Sequence, residues 1–233
     1  MNDPQDKIDF EVKRSQRSTA DIIVERDGSV LVRVPETLSD DRIENLVESK
    51  RYWIYKNLAE WRDLNSARVQ REIRGGEGFL YLGRTYRLAL VSDQNVPLLL
   101  KDGRFRLKRE LVDRGDADGS RAAFRDYYIQ KGEQRIAERV TYYAPKVGVE
   151  PTGLTVKELG TRWASCSPSG KLAFHWKCMM APLSIIDYIV VHELCHLIES
   201  DHSDAFWNEV DKVMPVYRER KEWLRINGAG LEV

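Results

Sequence analysis

Three histidines within eleven residues constrain this chain more than any other feature. His192-Glu193-Leu194-Cys195-His196 is followed six residues later by His202, and the whole chain has only four histidines. In an α-helix, two residues four positions apart lie about 40° apart around the axis and about 6 Å apart along it. His192 and His196 therefore share one face, where both imidazoles can bind one zinc ion at about 2.0–2.1 Å. Glu193 lies about 100° away and can border the site without binding the metal.

The H-E-x-x-H pattern is typical of zinc hydrolases, in which the glutamate is the general base for water. The same residues also occur by chance as ordinary helix residues in a buried segment. The third histidine and the apolar run that precedes the motif favour the metal site. We therefore predict a zinc site with His192 and His196 as ligands and Glu193 as the catalytic base.

His202 is the favoured third ligand, although a continuous helix would place it about 240° round and about 9 Å beyond His196. The helix must therefore end between them. Glu199-Ser200-Asp201 is polar and turn-prone, and Ser203-Asp204 is typical of a helix start, so the chain can reverse there. The spacing matches the start of the metzincin signature, but glutamate replaces its glycine at position 199, which argues against that class. Glu199, Asp204 and Glu209 stay open as acidic alternatives for the third ligand.

Composition indicates a globular protein without a strong electrostatic preference for a partner. The chain has 233 residues, 42% hydrophobic and 32% charged, with a formal net charge of +0. This suits one large domain or two small ones, and argues against strong autonomous binding of nucleic acid or membrane. Residues 1–6 do not resemble a signal peptide, and the apolar run 185–198 is too short to span a bilayer. The cysteines at 166, 178 and 195 form no C-x-x-C pair, which favours reduced thiols and a cytoplasmic protein.

The hydrophobic patterns predict an α+β protein with two regions. Residues 1–145 form an antiparallel β-rich part with long helices. Its strands are expected at 22–24, 30–34, 79–82, 86–90, 98–100 and 105–107, the last four as an antiparallel meander, and its helices at 39–61 and 120–143. Residues 146–233 form the zincin-like catalytic region, with a small sheet packed on the motif helix. That region has a strand at 154–156, a hairpin around 168–170, a helix opened by Pro182 and two further helices.

A sheet beside a metal-bearing helix can present its edge strand to an extended peptide, and the strand 172–176 is the candidate for that role. His175 is a candidate contact to substrate or transition state, although a half-exposed strand residue is the favoured interpretation. Tyr217 is a second candidate contact, with core packing as its alternative. Arg162 either lines the cleft or fixes the hairpin against the helix.

Several segments together closely resemble the YgjP-like metallopeptidases. They are 162–166, Ala181-Pro182, 185–197, His202-Ser203, Phe206-Trp207, Pro215, Tyr217 and Trp223-Leu224, with Trp53-Ile54, Tyr81-Leu82-Gly83 and Tyr86 upstream. That family is similar to the SprT-like and Wss-like zinc proteases, some of which cleave proteins crosslinked to DNA. The resemblance implies zinc on the three histidines, a catalytic Glu193, and a peptide or protein substrate. The family often has glycine where Ala164 stands and asparagine where His175 stands.

The leading hypothesis is a cytoplasmic zinc-dependent peptidase, because three protein ligands leave the fourth zinc position open. The alternative is a non-catalytic, zinc-stabilised binding module associated with protein or DNA, since metal binding can contribute folding free energy by itself. Nucleic acid is a candidate partner through Arg104, Arg106 and Lys108, which alternate onto one strand face. A solvated sheet face is the favoured interpretation of those residues. No membrane partner is expected, and the sequence does not indicate an oligomeric state.

Overall fold

The computed structural model of the chain describes residues 8–25, 27–66 and 71–233, so the polar segment 1–6 lies outside the described residues. The chain divides into two compact units, Met1–Arg68 and Val69–Val233. The described residues form three small sheets and seven α-helices, which confirms the predicted α+β class. No helix among them is both long and apolar enough to cross a membrane.

The first unit is a three-stranded sheet with two helices. Strands β1 (Glu11–Ser15), β2 (Asp21–Val24) and β3 (Val30–Pro35) lie in the order β1-β3-β2, with β1 parallel to β3. The second and third strands confirm the predicted ones, whereas the fully exposed β1 was not predicted. Alternation along β3 buries three valines with apolar residues of α1 (Asp40–Ser49) and α2 (Arg51–Ser66). The single helix predicted from residue 39 is wrong, because it breaks at Lys50 with no glycine or proline to signal the break.

The second unit opens with a four-stranded sheet. Its strands are β4 (Gly78–Tyr81), β5 (Arg84–Val91), β6 (Leu98–Lys101) and β7 (Arg104–Lys108), as predicted. The predicted antiparallel meander is wrong, since the order is β4-β5-β7-β6 and β5 is parallel to β7. Positive φ angles at Leu82-Gly83 and Asp102-Gly103 form two-residue turns that close the β4–β5 and β6–β7 hairpins. The longer link at 92–97 lets β6 cross to the far side of β7.

A long helix connects this sheet to the metal-binding part of the unit. After the short α3 (Arg109–Asp113), α4 (Ala117–Val147) begins at Asp116, whose carboxylate accepts a hydrogen bond from the Gly119 N–H, and ends at Gly148 with φ 82°. The predicted helix at 120–143 is confirmed, with extra residues at both ends. The predicted domain boundary between residues 145 and 146 falls inside α4. The compact units instead divide at 68/69, because α4 packs both on the preceding sheet and on the helix of the histidine motif.

The last sheet contains β8 (Gly153–Lys157), β9 (Ala164–Cys166) and β10 (Lys171–His175) in the order β8-β10-β9. The predicted strand and hairpin are confirmed, but the proposal that the strand at 172–176 is a free edge is wrong. β10 is the central strand, parallel to β8 and antiparallel to β9, so both of its edges are already paired. The edge nearest the motif helix is β9.

A 3-10 helix (Trp176–Met180) leads to α5 (Leu183–Cys195), which begins after Pro182 as predicted. α6 (Asp204–Val213) and α7 (Tyr217–Asn227) follow, with a final 3-10 turn at Gly228–Gly230. Ten of the thirteen residues of α5 are buried, so the helix lies in the core of the unit. Its one buried aspartate, Asp187, accepts two hydrogen bonds from the Arg139 guanidinium, at 2.6 and 3.0 Å. The Tyr143 hydroxyl adds a third at 3.2 Å, and these bonds orient α5 against α4.

Candidate metal centre

The structure brings His192, His196 and His202 together at the end of α5. The Nε2 atoms of His196 and His202 lie 3.2 Å and 2.9 Å from the Nε2 atom of His192. One ligand-type nitrogen from each ring fits within 4.8 Å of the others. Three nitrogens bound tetrahedrally to one zinc ion would lie about 3.3 Å apart. The spacing therefore suits a small divalent cation held by all three rings.

His202 reaches the other two rings because α5 ends at Cys195, immediately before His196. The amides of Ile198 and Glu199 both donate to the Cys195 carbonyl, which closes the last turn and reverses the chain. Ser203 then caps α6 by accepting a hydrogen bond from the Phe206 N–H. The predicted chain reversal between His196 and His202 and the predicted helix start at Ser203-Asp204 are confirmed, although α5 ends just before His196 rather than after it. Among the described residues, the cluster of side chains that could bind one metal ion contains the three histidines and none of the acidic alternatives at 199, 204 and 209.

The hydrogen bonding of His196 favours metal binding through Nε2, the atom that lies 3.2 Å from Nε2 of His192. Its Nδ1–H donates to the Glu199 backbone carbonyl at 3.0 Å, so the lone pair is on Nε2. Burial lowers the pKa of His196, and it lowers the pKa of His192 well below the usual 6.5, with help from the neighbouring His202 and His196. Neutral imidazoles are the form that binds a metal. The buried Nδ1 of His192 has no hydrogen-bond partner among the described residues.

Two aromatic side chains of α6 form the floor of the cluster. The Phe206 ring is fully buried, with its centroid 4.9, 4.4 and 5.0 Å from those of His192, His196 and His202. The Trp207 ring stacks on His202 at 5.7 Å and lies 5.8 Å from His192. Such packing limits the rotation of the imidazoles and excludes water from beneath them. The sequence pattern marked Phe206 only as part of an apolar helix face, so this role needed the folded geometry.

Glu193 is 5% exposed, and its Oε2 atom has no hydrogen-bond partner among the described residues. Burial raises the pKa of this carboxyl group to about 8, and the charge of Arg162 opposes the rise. A divalent cation bound at the neighbouring histidines would, like the charge of Arg162, lower the pKa of Glu193. Glu193 is therefore a buried carboxyl group next to His192 in the chain, with a raised pKa and one oxygen that no described residue hydrogen-bonds, features that are common at functional sites.

β9 and the loop before it border the site on the Glu193 side. Arg162 is exposed and close enough to Glu193 for its charge to lower the pKa of that carboxyl. Burial raises the pKa of the Cys166 thiol at the end of β9, and the nearby Glu193 adds to the rise. Arg162 therefore lies near Glu193, whereas the sequence left open whether it lines the cleft.

His175 is not a member of the cluster, and its predicted half-exposed position is wrong. Its side chain is completely buried. The Nδ1 atom accepts from the Lys177 N–H at 3.0 Å, so the Nε2–H donates to Glu158 at 2.6 Å. Trp176 Nε1 donates to the other oxygen of the same carboxylate at 2.8 Å. With both nitrogens engaged and no exposed surface, His175 cannot contact a substrate in this conformation.

The two tyrosines near the site are core residues in this structure. Tyr217 is 5% exposed and stacks on Trp207 at 5.1 Å, so Trp207 links it to the histidines. Tyr188 is also 5% exposed, and its ring meets the edge of His192 at 5.9 Å. Burial raises the pKa of the Tyr188 hydroxyl, with Glu193 and Tyr217 adding to the rise. Packing thus accounts for both positions.

Comparison with known proteins decides the family. The model of the YgjP-like metallopeptidase domain matches residues 18–227, which is nearly the whole chain. The chain belongs to the YgjP-like family. A metallopeptidase domain of this family implies a metal ion, and the three histidines provide a group that can hold one. The predicted resemblance is therefore confirmed at the level of the family and of a metallopeptidase.

Among solved structures, this YgjP-like chain is similar to one described as the metallopeptidase zymogen of Pyrococcus abyssi abylysin. The two share 25% sequence identity, with a TM-score of 0.36. The match covers 40% of this chain and 92% of the other. A search of curated proteins finds no match.

Proposed function

We propose that this chain is a zinc-dependent peptidase in which His192, His196 and His202 hold the metal and Glu193 transfers protons. The observation that supports this most is the combination of three converging imidazoles with the buried Glu193 carboxyl group, whose Oε2 atom has no hydrogen-bond partner among the described residues. Structural zinc sites usually have four protein ligands, whereas a catalytic site keeps one position open. The described residues offer three ligands at this place.

A zinc ion in such a site supplies a Lewis acid that polarises a carbonyl and makes water nucleophilic near neutral pH. In this proposal Glu193 takes a proton from the attacking water and returns it to the leaving amine. Its burial keeps the carboxyl group basic enough for this exchange, since a general base works best with a pKa near the operating pH. Phe206 and Trp207 hold the three rings in place and limit water beneath them.

The substrate is proposed to be a peptide or protein segment in extended form. The β9 strand supports this proposal, because it is a sheet edge in contact with α5 and close to Glu193. An extended peptide that pairs with β9 would bring its backbone towards the metal site through main-chain hydrogen bonds. Arg162, which is exposed and acts electrostatically on Glu193, is the proposed cationic contact to this peptide.

The experiment that tests the proposal is Glu193→Gln in the zinc-loaded protein, assayed on a library of unfolded peptides. The amide keeps the size of the side chain but cannot take a proton, so we expect cleavage to fall by at least about 100-fold. Zinc content, measured by elemental analysis, should be unchanged. Glu150→Gln, an exposed change of the same kind, is the matched control and should cleave at the wild-type rate.

Two results would contradict the proposal. If purified wild-type protein binds no zinc, the proposed metal site is wrong. Wild type that binds zinc but cleaves no peptide, and that behaves as Glu193→Gln does in every assay, would favour the non-catalytic binding module.

A further inference from the structure

Three cations stand side by side across the four-stranded sheet of the second unit. In the strand register, Lys101 of β6 is directly opposite Arg104 of β7, and Arg104 is directly opposite Arg87 of β5. Opposed residues of paired strands project from the same face. All three side chains are exposed, while the alternate residues Phe105 and Leu88 are buried on the other face. We call Arg87, Arg104 and Lys101 the cation row.

The cation row has no acidic partner within the described part of the chain. Among residues 8–25, 27–66 and 71–233, no ion pair involves any of the three residues, and their side chains make one hydrogen bond, from Arg87 to the Gly76 carbonyl at 2.8 Å. Neighbouring strands lie about 4.8 Å apart, so the three charges share a strip about 10 Å wide. Like charges directly opposite each other destabilise a sheet. Apart from the hydrogen bond of Arg87 to the Gly76 carbonyl, the proximity of these three like charges is unfavourable for the fold.

Two further cations extend the same face along β7. Arg106 pairs with Asp93 at 3.1 Å and Lys108 lies 3.8 Å from Glu110, so each is partly neutralised. An acidic residue, Asp102, lies in the turn that joins Lys101 to Arg104. The net charge of the whole chain is +0, so this face concentrates positive charge that the molecule balances elsewhere.

We propose that the cation row is a docking surface for the phosphate backbone of double-stranded nucleic acid, bound without regard to base sequence. A duplex carries one negative charge per about 1.7 Å of its axis, which matches closely spaced cations. Arginine, at two of the three positions, presents a planar fork of donors that suits phosphate oxygens. No aromatic side chain projects from this face in β5, β6 or β7, so stacking with unpaired bases has no platform there.

Other anionic partners fit this face less well. An extended acidic peptide places same-side carboxylates about 7 Å apart and would need a run of alternating acidic residues to match the row. A membrane surface is bound stably only when a second, apolar anchor adds to the charge. None of the large apolar side chains that are exposed in the described part of the chain belongs to β5, β6 or β7.

The test measures binding of a fluorescent 20-base-pair duplex to the full chain between 50 and 200 mM salt. Contact with three phosphates predicts that wild-type affinity falls about 40-fold over this range. The double variant Lys101→Gln with Arg104→Gln removes two of the three contacts. Its affinity should therefore fall only about 3- to 4-fold over the same salt range, and at 50 mM salt it should bind more weakly than wild type. The matched control, Arg121→Gln with Lys157→Gln, removes two exposed cations from other elements and should bind as wild type does.

Duplex binding that is absent at 50 mM salt, or equal in the double variant and wild type, would overturn the proposal. Equal or tighter binding of poly-glutamate would overturn the choice of nucleic acid as partner. Arg104→Lys keeps the charge and should keep the salt dependence, which guards against a folding defect in the double variant. Thermal unfolding should show both Arg104 variants to be at least as stable as wild type. None of these readouts uses peptidase activity, so the inference stands or falls separately from the proposed function.

Discussion

Glu193 and His202 differ in their exposure to solvent, so substitutions at the two positions should have different effects on stability. Glu193 is buried in α5, where the protein replaces water around its carboxyl group and raises its pKa. His202 lies in an exposed turn and contacts the cluster through its ring. A change at Glu193 therefore alters both chemistry and stability, whereas a change at His202 should alter metal binding without loss of the core.

His202→Ala should lower zinc affinity by at least about 100-fold and abolish cleavage, because it removes one of three proposed ligands. The far-ultraviolet circular dichroism should be unchanged, since the residue is exposed. Competition with a fluorescent chelator measures the affinity. Glu209→Gln is the control for an acidic third ligand and should leave affinity unchanged. Normal zinc binding by His202→Ala would show that another residue completes the site.

The stability of the metal-free protein should depend on pH through Glu193. Its pKa in the folded state is about 8, above the ordinary 4.5, so the folded protein keeps a proton that the unfolded chain loses. The contribution of this retained proton to the free energy of unfolding is fully present below pH 4.5 and is lost as the pH rises through 8. Metal-free Glu193→Gln has no carboxyl group to ionise, so its free energy of unfolding should exceed that of wild type by up to about 5 kcal/mol at pH 9, with no such gain near pH 4. Urea unfolding at both pH values measures the difference, and a gain independent of pH would contradict the explanation.

At the scale of elements, α5 carries the motif and α4 fixes its position. The apolar surface of α5 gives close packing, while the Asp187 carboxylate and the Arg139 guanidinium set the alignment of the two helices through paired hydrogen bonds. Both side chains are largely buried, at 12% exposure for Asp187 and 23% for Arg139. Removing either charge would leave the other unpaired in a partly buried place, which destabilises the fold.

Arg139→Met should lower the free energy of unfolding by about 2 kcal/mol, because it leaves Asp187 without its cation in a partly buried place. Adding Asp187→Leu should restore most of that loss, since the pair is then replaced by apolar contact. Urea denaturation of the two single variants and the double variant measures the coupling. Arg135→Met breaks an exposed pair with Glu138 and should cost less than about 0.5 kcal/mol. Additive losses from the two core changes would show that the pair is not coupled.

At the scale of the whole molecule, the predicted metal ligands all belong to the unit Val69–Val233. Within that unit, a bound ion would tie the end of α5 to the turn before α6, and Phe206 and Trp207 would pass this constraint to the helix. The unit Met1–Arg68 contains none of the three predicted ligands. The family match at residues 18–227 nevertheless spans most of both units.

Zinc should raise the melting temperature of the protein. A ligand at about 1,000 times its Kd stabilises the folded state by about 4 kcal/mol, which corresponds to roughly 8–16 °C for a unit of this size. Calorimetry with zinc and with a chelator measures the shift. The double variant His192→Ala with His196→Ala is the control and should show no shift. An equal shift in that variant would place the metal elsewhere.

The sequence by itself determined the features that depend on neighbouring residues. Helical spacing places His192 and His196 on one face, and the proline at 182 marks the start of α5. The polar segment at 199–201 predicted the reversal that delivers His202, and alternation predicted most of the strands. These features are local, because backbone geometry and turn preferences act over a few residues.

Only the tertiary structure decided which distant segments are neighbours. The order β4-β5-β7-β6, the central place of β10 and the burial of His175 depend on packing between segments far apart in the chain. The cation row has the same origin, because the alternation seen in β7 alone could not reveal that Lys101 and Arg87 stand on either side of Arg104. Strand alternation sets the face on which a residue lies, whereas its neighbours across the sheet are set by loop lengths and by the burial that each pairing allows.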